Sequence, residues 1–401
     1  MHTSRTAFTA ALFAATLIAC AGCSSSRSVT AAQAQANTPT AESASSSALD
    51  TWMEADVYAA YNGQPKPAAT QNFGVFGDLP QTGAHASQPA ISHDATSNLR
   101  RVSYAEVGAD FDPDFSPKGN TLFFSSTRHR PTADIYAQST SGRSVTQLTT
   151  DPAHDVMPAV SPDGKRVAFA SNRTGDWNIY VMNSAGGQAI QITDNAEHEL
   201  HPSWSPDGQH LVYCRLNQRS ERWEVWTVNV DRPAVQTFVT FGLFPEWHPT
   251  EDVVLFQRSR ERGDRYFGVW TIKLVDGQGV EPTEVFSSPD MAAINPTWSP
   301  DGEFIACATV QHPVAGPFTN TKPDFADVWV VRRDGAMRTN LTNGYHVNLM
   351  PAWAPDNSIF FISDRGGFDN VWSVDPTQAM VAAGMTIQGS EPFANVPFED
   401  E

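Results

Sequence analysis

The chain predicts an all-β fold: a six-bladed β-propeller of four-stranded antiparallel blades, with an N-terminal strand closing the last blade. Three observations carry this. The pattern Pro-x-Φ-x-Pro, with Φ apolar, recurs six times at spacings of 43 to 55 residues, at 113–117, 158–162, 202–206, 245–249, 296–300 and 351–355. Each copy is followed by a short apolar strand, a polar turn, and a strand with a β-branched residue before Tyr or Trp. No helical period lies between the copies, and such self-similarity marks units that bury their faces only by stacking on one another.

The elements follow in order. After the second proline comes a turn, Asp163-Gly164, Asp207-Gly208 or Asp301-Gly302, where Pro presets φ and Gly accepts a positive one. Second strands are expected at 122–124, 166–169, 211–213, 253–256, 304–306 and 359–362. The polar turn reads Ser-x-x-Arg at 125–128, with one residue fewer at 171–173 and 363–365. Third strands carry Ile135-Tyr136, Ile179-Tyr180, Val225-Trp226, Val269-Trp270, Val328-Trp329 and Val371-Trp372, and fourth strands are read at 145–148, 189–192 and 338–341. Six such sheets set radially leave only short, protected edges, and the aromatic residues are assigned to packing between blades. Blade six shows no fourth strand after Pro376, whereas 101–104 lies about ten residues before Pro113, as 146–148 precedes Pro158; Val102 to Tyr104 is therefore predicted to close the ring.

Upstream of the repeats the composition changes. Residues 1–19 read as a lipoprotein signal peptide, with an apolar run too short to span a bilayer. Leu17-Ile18-Ala19-Cys20 matches a lipobox, so Cys20 is expected to carry the lipid; Cys23 is the alternative acceptor, and cleavage without lipidation is the other alternative. Ala21 gives no inner-membrane retention signal, which places the anchored protein in the bacterial periplasm at the outer membrane. Residues 20–48 form a low-complexity tether, and 49–100 a partly ordered linker or docking segment around Trp52, Met53, Val57, Tyr58 and Tyr61. The propeller is assigned to 101–376 and a C-terminal tail to 377–401. A net charge of −18 excludes a nucleic-acid partner, which needs clustered Lys and Arg. Cys214 and Cys307 fall on the second strands of blades three and five, which are not neighbours, and are expected as buried free thiols.

The repeat, seen in 202–208 with Glu224-Val225-Trp226 and in 158–164 with Asn178-Ile179-Tyr180 and Gln191-Ile192-Thr193, resembles the WD40-like repeat of the TolB family of periplasmic propellers over roughly 101–376. Proteins of that family in the Tol system are soluble, carry an α/β domain before the propeller and bind a peptidoglycan-associated lipoprotein at the propeller. The chain departs from that pattern in its lipobox and in residues 24–100, too short and low in complexity for the α/β domain; the resemblance implies a non-catalytic binding propeller, with an envelope protein, peptide or cell-wall fragment as partner. The enzyme alternative resembles the propellers of prolyl-oligopeptidase-like peptidases, but the chain has no Gly-x-Ser-x-Gly turn. A metal or carbohydrate site in the channel is the third class. His198-Glu199-Leu200-His201 invites a zinc reading, yet it is not His-Glu-x-x-His and precedes a strand rather than lying on a helix. No catalytic residue, metal ligand or cofactor is assigned.

The candidate site rests on convergence. Three residues before the first proline of each repeat stand Asp110, Asp155, Glu199, Gly242, Ala293 and Asn348, with His154, His198, His201 and His346 nearby. With Pro-x-Φ-x-Pro as the innermost strand, these positions are expected at one mouth of the channel. Asp110, Asp155, Glu199 and Asn348 would form a partial ring for a basic partner, open toward Phe241, Leu243 and Ile294, and weakened by His protonation at mildly acid pH. The alternative is that the carboxylates cap turns or bond neighbouring backbone amides.

Overall fold

A computed structural model describes residues 98–385 apart from 221, 260–266, 312–322, 324 and 343. The signal peptide, the tether, Cys20, Cys23 and nearly all of the 49–100 segment lie outside the described residues, as does most of the long loop of blade five.

Six four-stranded antiparallel sheets are present. The inner strands are β2 (Asp110–Phe115), β6 (Asp155–Val160), β10 (His198–Trp204), β14 (Leu243–Trp247), β18 (Met291–Trp298) and β22 (Asn348–Trp353), each packing on the next around the ring. Every one of them is a Pro-x-Φ-x-Pro segment. Proline is tolerated because the inner strand is an edge of its own sheet, so the missing N–H is not owed to a ladder. Apolar clusters fill the seams between blades: Phe115, Phe124 and Tyr136 pack with Phe360 and Val371 between blades one and six, and Val212 and Val225 with Trp247 and Phe256 between three and four. The aromatic residues thus serve mainly as packing between blades. Cys214 and Cys307 are buried and free.

Two fourth strands escaped the sequence. β13 (Arg232–Phe241) and β17 (Gln278–Phe286) are long strands, yet most of their residues are half or fully exposed. An outermost strand with no buried face shows no apolar alternation, which is the signal by which strands are read.

Closure differs from the expectation by two residues. The strand that pairs with β24 (Asn370–Val374) is β1, Arg100–Arg101, with Arg100 opposite Ser373 and Arg101 opposite Trp372. Val102 and Ser103 both donate their N–H to the Val371 carbonyl, at 2.9 and 3.2 Å, and Tyr104 is exposed. The reason for the offset is a hydroxyl repeated in the blades. Thr149, Thr193 and Thr342, just past their fourth strands, accept the N–H of Ile135, Ile179 and Val328 at 2.9–3.0 Å. Ser103 is their counterpart and accepts the Val371 N–H at 2.9 Å. Asn370 completes the clasp: buried, it accepts the Ala105 N–H at 2.7 Å across 265 residues of chain. Beyond blade six the tail forms a short helix, α1 (Thr377–Ala382), whose Met380 is buried among Val328, Leu341, Phe361 and Val374 of blades five and six.

Asn370→Ala strands the buried Ala105 N–H and frees the N-terminal strand. Its expected cost is about 2 kcal/mol, read in urea unfolding, with new proteolytic cleavage confined to residues 98–106. Unchanged stability and cleavage would show that the clasp does not close the ring.

Candidate functional site

Each inner strand carries the same irregularity. The ladder slips between Phe111 and Asp114 in blade one, and at the matching place in the other five, so that two residues face one on the second strand. The residue before the first proline sits in the left-handed region in all six: Asp112, Met157, His201, Phe244, Asn295 and Met350, with φ between 48° and 57°. None of them is glycine, and each such conformation costs roughly 1–3 kcal/mol.

The bulge builds the channel wall. Those six residues form one tier of a cavity of about 390 Å³, and Asp114, Ala159, Ser203, Glu246, Thr297 and Ala352, just after the first prolines, form a second. The wall reaches Pro117, Pro162 and Pro249 at the turn end of the blades, away from the strand starts where the site was expected. Polar groups of the wall link one blade to the next. Asp114 accepts the Val160 N–H at 2.6 Å, Ser203 the Trp247 N–H at 3.1 Å, and Glu246 the Trp298 N–H at 3.2 Å. The inner strand is an edge of its sheet, so these N–H groups have no partner in their own ladder, and a buried donor must find one.

Asp114 and Glu246 are half-buried in the channel wall. Burial pushes Asp114 up to about 6 against two backbone hydrogen bonds. Burial likewise pushes Glu246 up to about 8, with the Asp114 charge adding to it. A carboxyl raised in this way binds its proton more tightly folded than unfolded. Its ionisation therefore weakens the fold as pH climbs from the ordinary carboxylate range through the raised value. His201 is pushed down to about 3 by burial and stays neutral; its ring lies 3.7 Å from that of Phe244, and its Nε2 is closed to solvent with no hydrogen-bond partner.

Of the residues singled out by sequence, His201 alone lines this cavity. Asp110, Asp155 and Glu199 are fully buried and paired with Arg128, Arg173 and Arg215 at 2.7–2.8 Å. Asn348 takes the same place opposite Arg365 at 2.8 Å. The Ser-x-Arg turns supply these arginines: Ser126, Ser171 and Ser363 each accept from the guanidinium Nε at 2.9–3.1 Å. Each guanidinium also lies over an aromatic ring of its own blade, as Arg173 over Tyr180 at 4.7 Å. The acids do not converge as a ring; each is a strut inside its blade, because the side chain three residues before the proline points back into the sheet. His154 and His198 accept the N–H of Ala133 and Trp177 in the preceding blade, and burial pushes both down, against the expected protonation at mildly acid pH. His346 is partly exposed, 3.6 Å from Asp364. The four residues 198–201 diverge, His198 to the blade seam, Glu199 to Arg215 and His201 to the channel. Leu243 and Ile294 are core residues rather than an apolar side of a mouth.

Sequence reasoning missed Asp114 and Glu246. The available signal was the period of two: Φ is buried between blades, so the residue before it faces the channel, and only blades one and four put an acid there.

Fold and channel define a closed β-propeller with an acidic central cavity. Residues 84–272 match the family model of the TolB beta propeller domain, and the chain is a TolB-like six-bladed propeller. Putative TolB from Agrobacterium tumefaciens is 20% identical with a TM-score of 0.54, the match covering 69% of this chain and 96% of that one. TolB from Acinetobacter baumannii is 16% identical at a TM-score of 0.49, over 69% of this chain and 63% of that one. An oligogalacturonate lyase from Vibrio parahaemolyticus is 13% identical at a TM-score of 0.49, over 71% and 95%. At 20% identity the likeness to the Agrobacterium protein is likeness of fold.

The struts make a direct prediction. Burial pushes the Asp155 and Glu199 carboxyls up, so pairing only partly offsets their desolvation; in Asp155→Asn plus Glu199→Gln an amide oxygen can still accept from the guanidinium, as Asn348 does from Arg365, and the loss comes from leaving two guanidinium charges without a counter-ion, with Arg215 only 8% exposed. The double variant is expected to lose on the order of 2 kcal/mol in urea unfolding. Stability equal to wild type would return these acids to a role other than bracing.

Proposed function

We propose that this chain is a non-catalytic binding scaffold of the bacterial cell envelope, whose partner engages the propeller channel. The observation that carries the reading is the channel wall. It offers a shaped cavity with apolar and polar faces, while its carboxyls and hydroxyl at Asp114, Glu246 and Ser203 hold backbone N–H groups of the following blades. Groups that hold the wall together are suited to gripping a ligand, because chemistry on any of them would loosen the ring. The proposed partner is an envelope protein or peptide of the peptidoglycan-associated lipoprotein kind. His201 contacts it, while Asp110, His154, Asp155, His198, Glu199 and Asn348 act by holding the blades in place.

The reading is tested by filling the channel. Ala159→Trp puts a large side chain into the cavity, and the folded variant, checked by thermal melting, is expected to lose capture of the envelope partners that the wild-type protein retains from extracts. Capture unchanged in that variant would move binding off the channel.

The scaffold is proposed to reach the envelope by a lipid on Cys20, which tethers it to the outer membrane. No described helix is long and apolar enough to cross a membrane. Labelling with a fatty-acid analogue is expected to vanish in Cys20→Ser and persist in Cys23→Ser; the reverse pattern would assign the lipid to Cys23.

A further inference from the structure

We infer that the channel takes a primary alkylammonium group, of the lysine side-chain kind, between the carboxyls of Asp114 and Glu246, and that its arrival displaces a proton. The inference rests on the channel as binding site and names what it binds.

The first support is a contrast in charge pairing. Inside the blades, the buried carboxylates Asp110, Asp134, Asp155 and Glu199 each have an arginine at 2.5–2.8 Å. Asp114 and Glu246 accept backbone N–H groups, with Thr297 beside Glu246, and among the described residues no Lys or Arg lines the cavity. The protein supplies an arginine to these four buried acids, while Asp114 and Glu246 in the channel wall have none. Blades one and four stand opposite each other in a six-membered ring, so the cavity lies between the two carboxyls.

A separate group points the same way. His201, on blade three, closes its Nε2 from solvent with no partner, and its imidazole is neutral. Once the ring turns its Nε2 to the cavity, that neutral nitrogen can accept one N–H of an ammonium while carboxylates accept the others. Met157, Ala159 and Met350 supply apolar surface for an alkyl stem. The left-handed backbone at all six blades fixes this wall before any ligand arrives.

Proton displacement follows from the groups that face Glu246. Asp112 and Asp114 face it from blade one and His201 from blade three, while the cavity-lining residues of blades two, five and six carry no titratable side chain. At neutral pH Glu246 keeps its proton, because burial and the Asp114 charge disfavour a second anion. An ammonium reverses that balance. Glu246 ionises, its proton passes to solvent, and the carboxylate pairs with the ligand.

The test is calorimetry on the full chain, with N-acetyl-lysine methylamide as probe and N-acetyl-norleucine methylamide as its uncharged counterpart, in buffers of differing ionisation enthalpy. The lysine probe is expected to bind at least about tenfold more tightly than the norleucine probe, with proton release at pH 7 that disappears at pH 9.5. Glu246→Gln and Asp114→Asn keep an amide oxygen for the N–H of Trp298 and Val160, and each should weaken the lysine probe about tenfold, the first also abolishing proton release. Equal affinity for the two probes, or proton release persisting in folded Glu246→Gln, overturns the inference. If Ala159→Trp abolishes partner capture while the lysine probe fails to bind, the channel reading stands and the ammonium assignment falls. If the probe binds as described while Ala159→Trp leaves capture intact, the converse holds.

Discussion

The structure depends on the bulge before the first proline of each inner strand. A left-handed Met157, Phe244 or Met350 is unfavourable by roughly 1–3 kcal/mol, and the inter-blade hydrogen bond it permits returns only about 1 kcal/mol. The balance is set by the Φ residue two positions beyond the proline. Trp204, Trp247, Trp298 and Trp353 are each at most 8% exposed. Burying 150–250 Å² of such a ring contributes about 4–6 kcal/mol at most. Aromatic packing between blades thus holds the inner strands in a conformation they would not otherwise adopt, and that conformation turns six side chains into the channel.

A second constraint operates within the blades. Placing an acid three residues before the proline would leave a buried charge, and the turn after the second strand answers it with Ser-x-Arg. The serine fixes the guanidinium, the acid neutralises it, and a ring from the second or third strand covers its face. Blade six keeps the geometry with Asn348 in place of the acid, which shows that the hydrogen-bonding pattern, more than the charge, is what repeats. Blade three replaces the turn arginine with Arg215 from the strand itself, and the longer Glu199 closes the gap.

The channel inverts this economy of charge. Three carboxyls of the cavity wall, Asp112, Asp114 and Glu246, hydrogen-bond the next blade, and no basic side chain among the described residues of the wall stands beside Asp114 and Glu246. Their raised proton affinities follow from that arrangement, so the same geometry that stitches blades one to two and four to five also gives the cavity its negative character. Stability and ligand preference are coupled through the same atoms.

From sequence alone the repeat, the blade count, the inner strands, the inter-blade role of the aromatic residues and the buried thiols could all be read, because each depends on local chemistry repeated at a fixed period. The closing strand was legible to within two residues, its true position being set by Ser103 meeting Val371, a contact between opposite ends of the chain. The period of two marked the channel-facing residue after the first proline, but only the tertiary structure decided which side chains before that proline meet the channel. A bulge shifts side-chain direction without altering composition, so Asp110, Asp155 and Glu199 turn inward to arginines while Asp112, Asp114, His201 and Glu246 line the cavity. Period and burial are written along the chain, but direction across a bulge depends on the neighbouring blade that receives the displaced N–H.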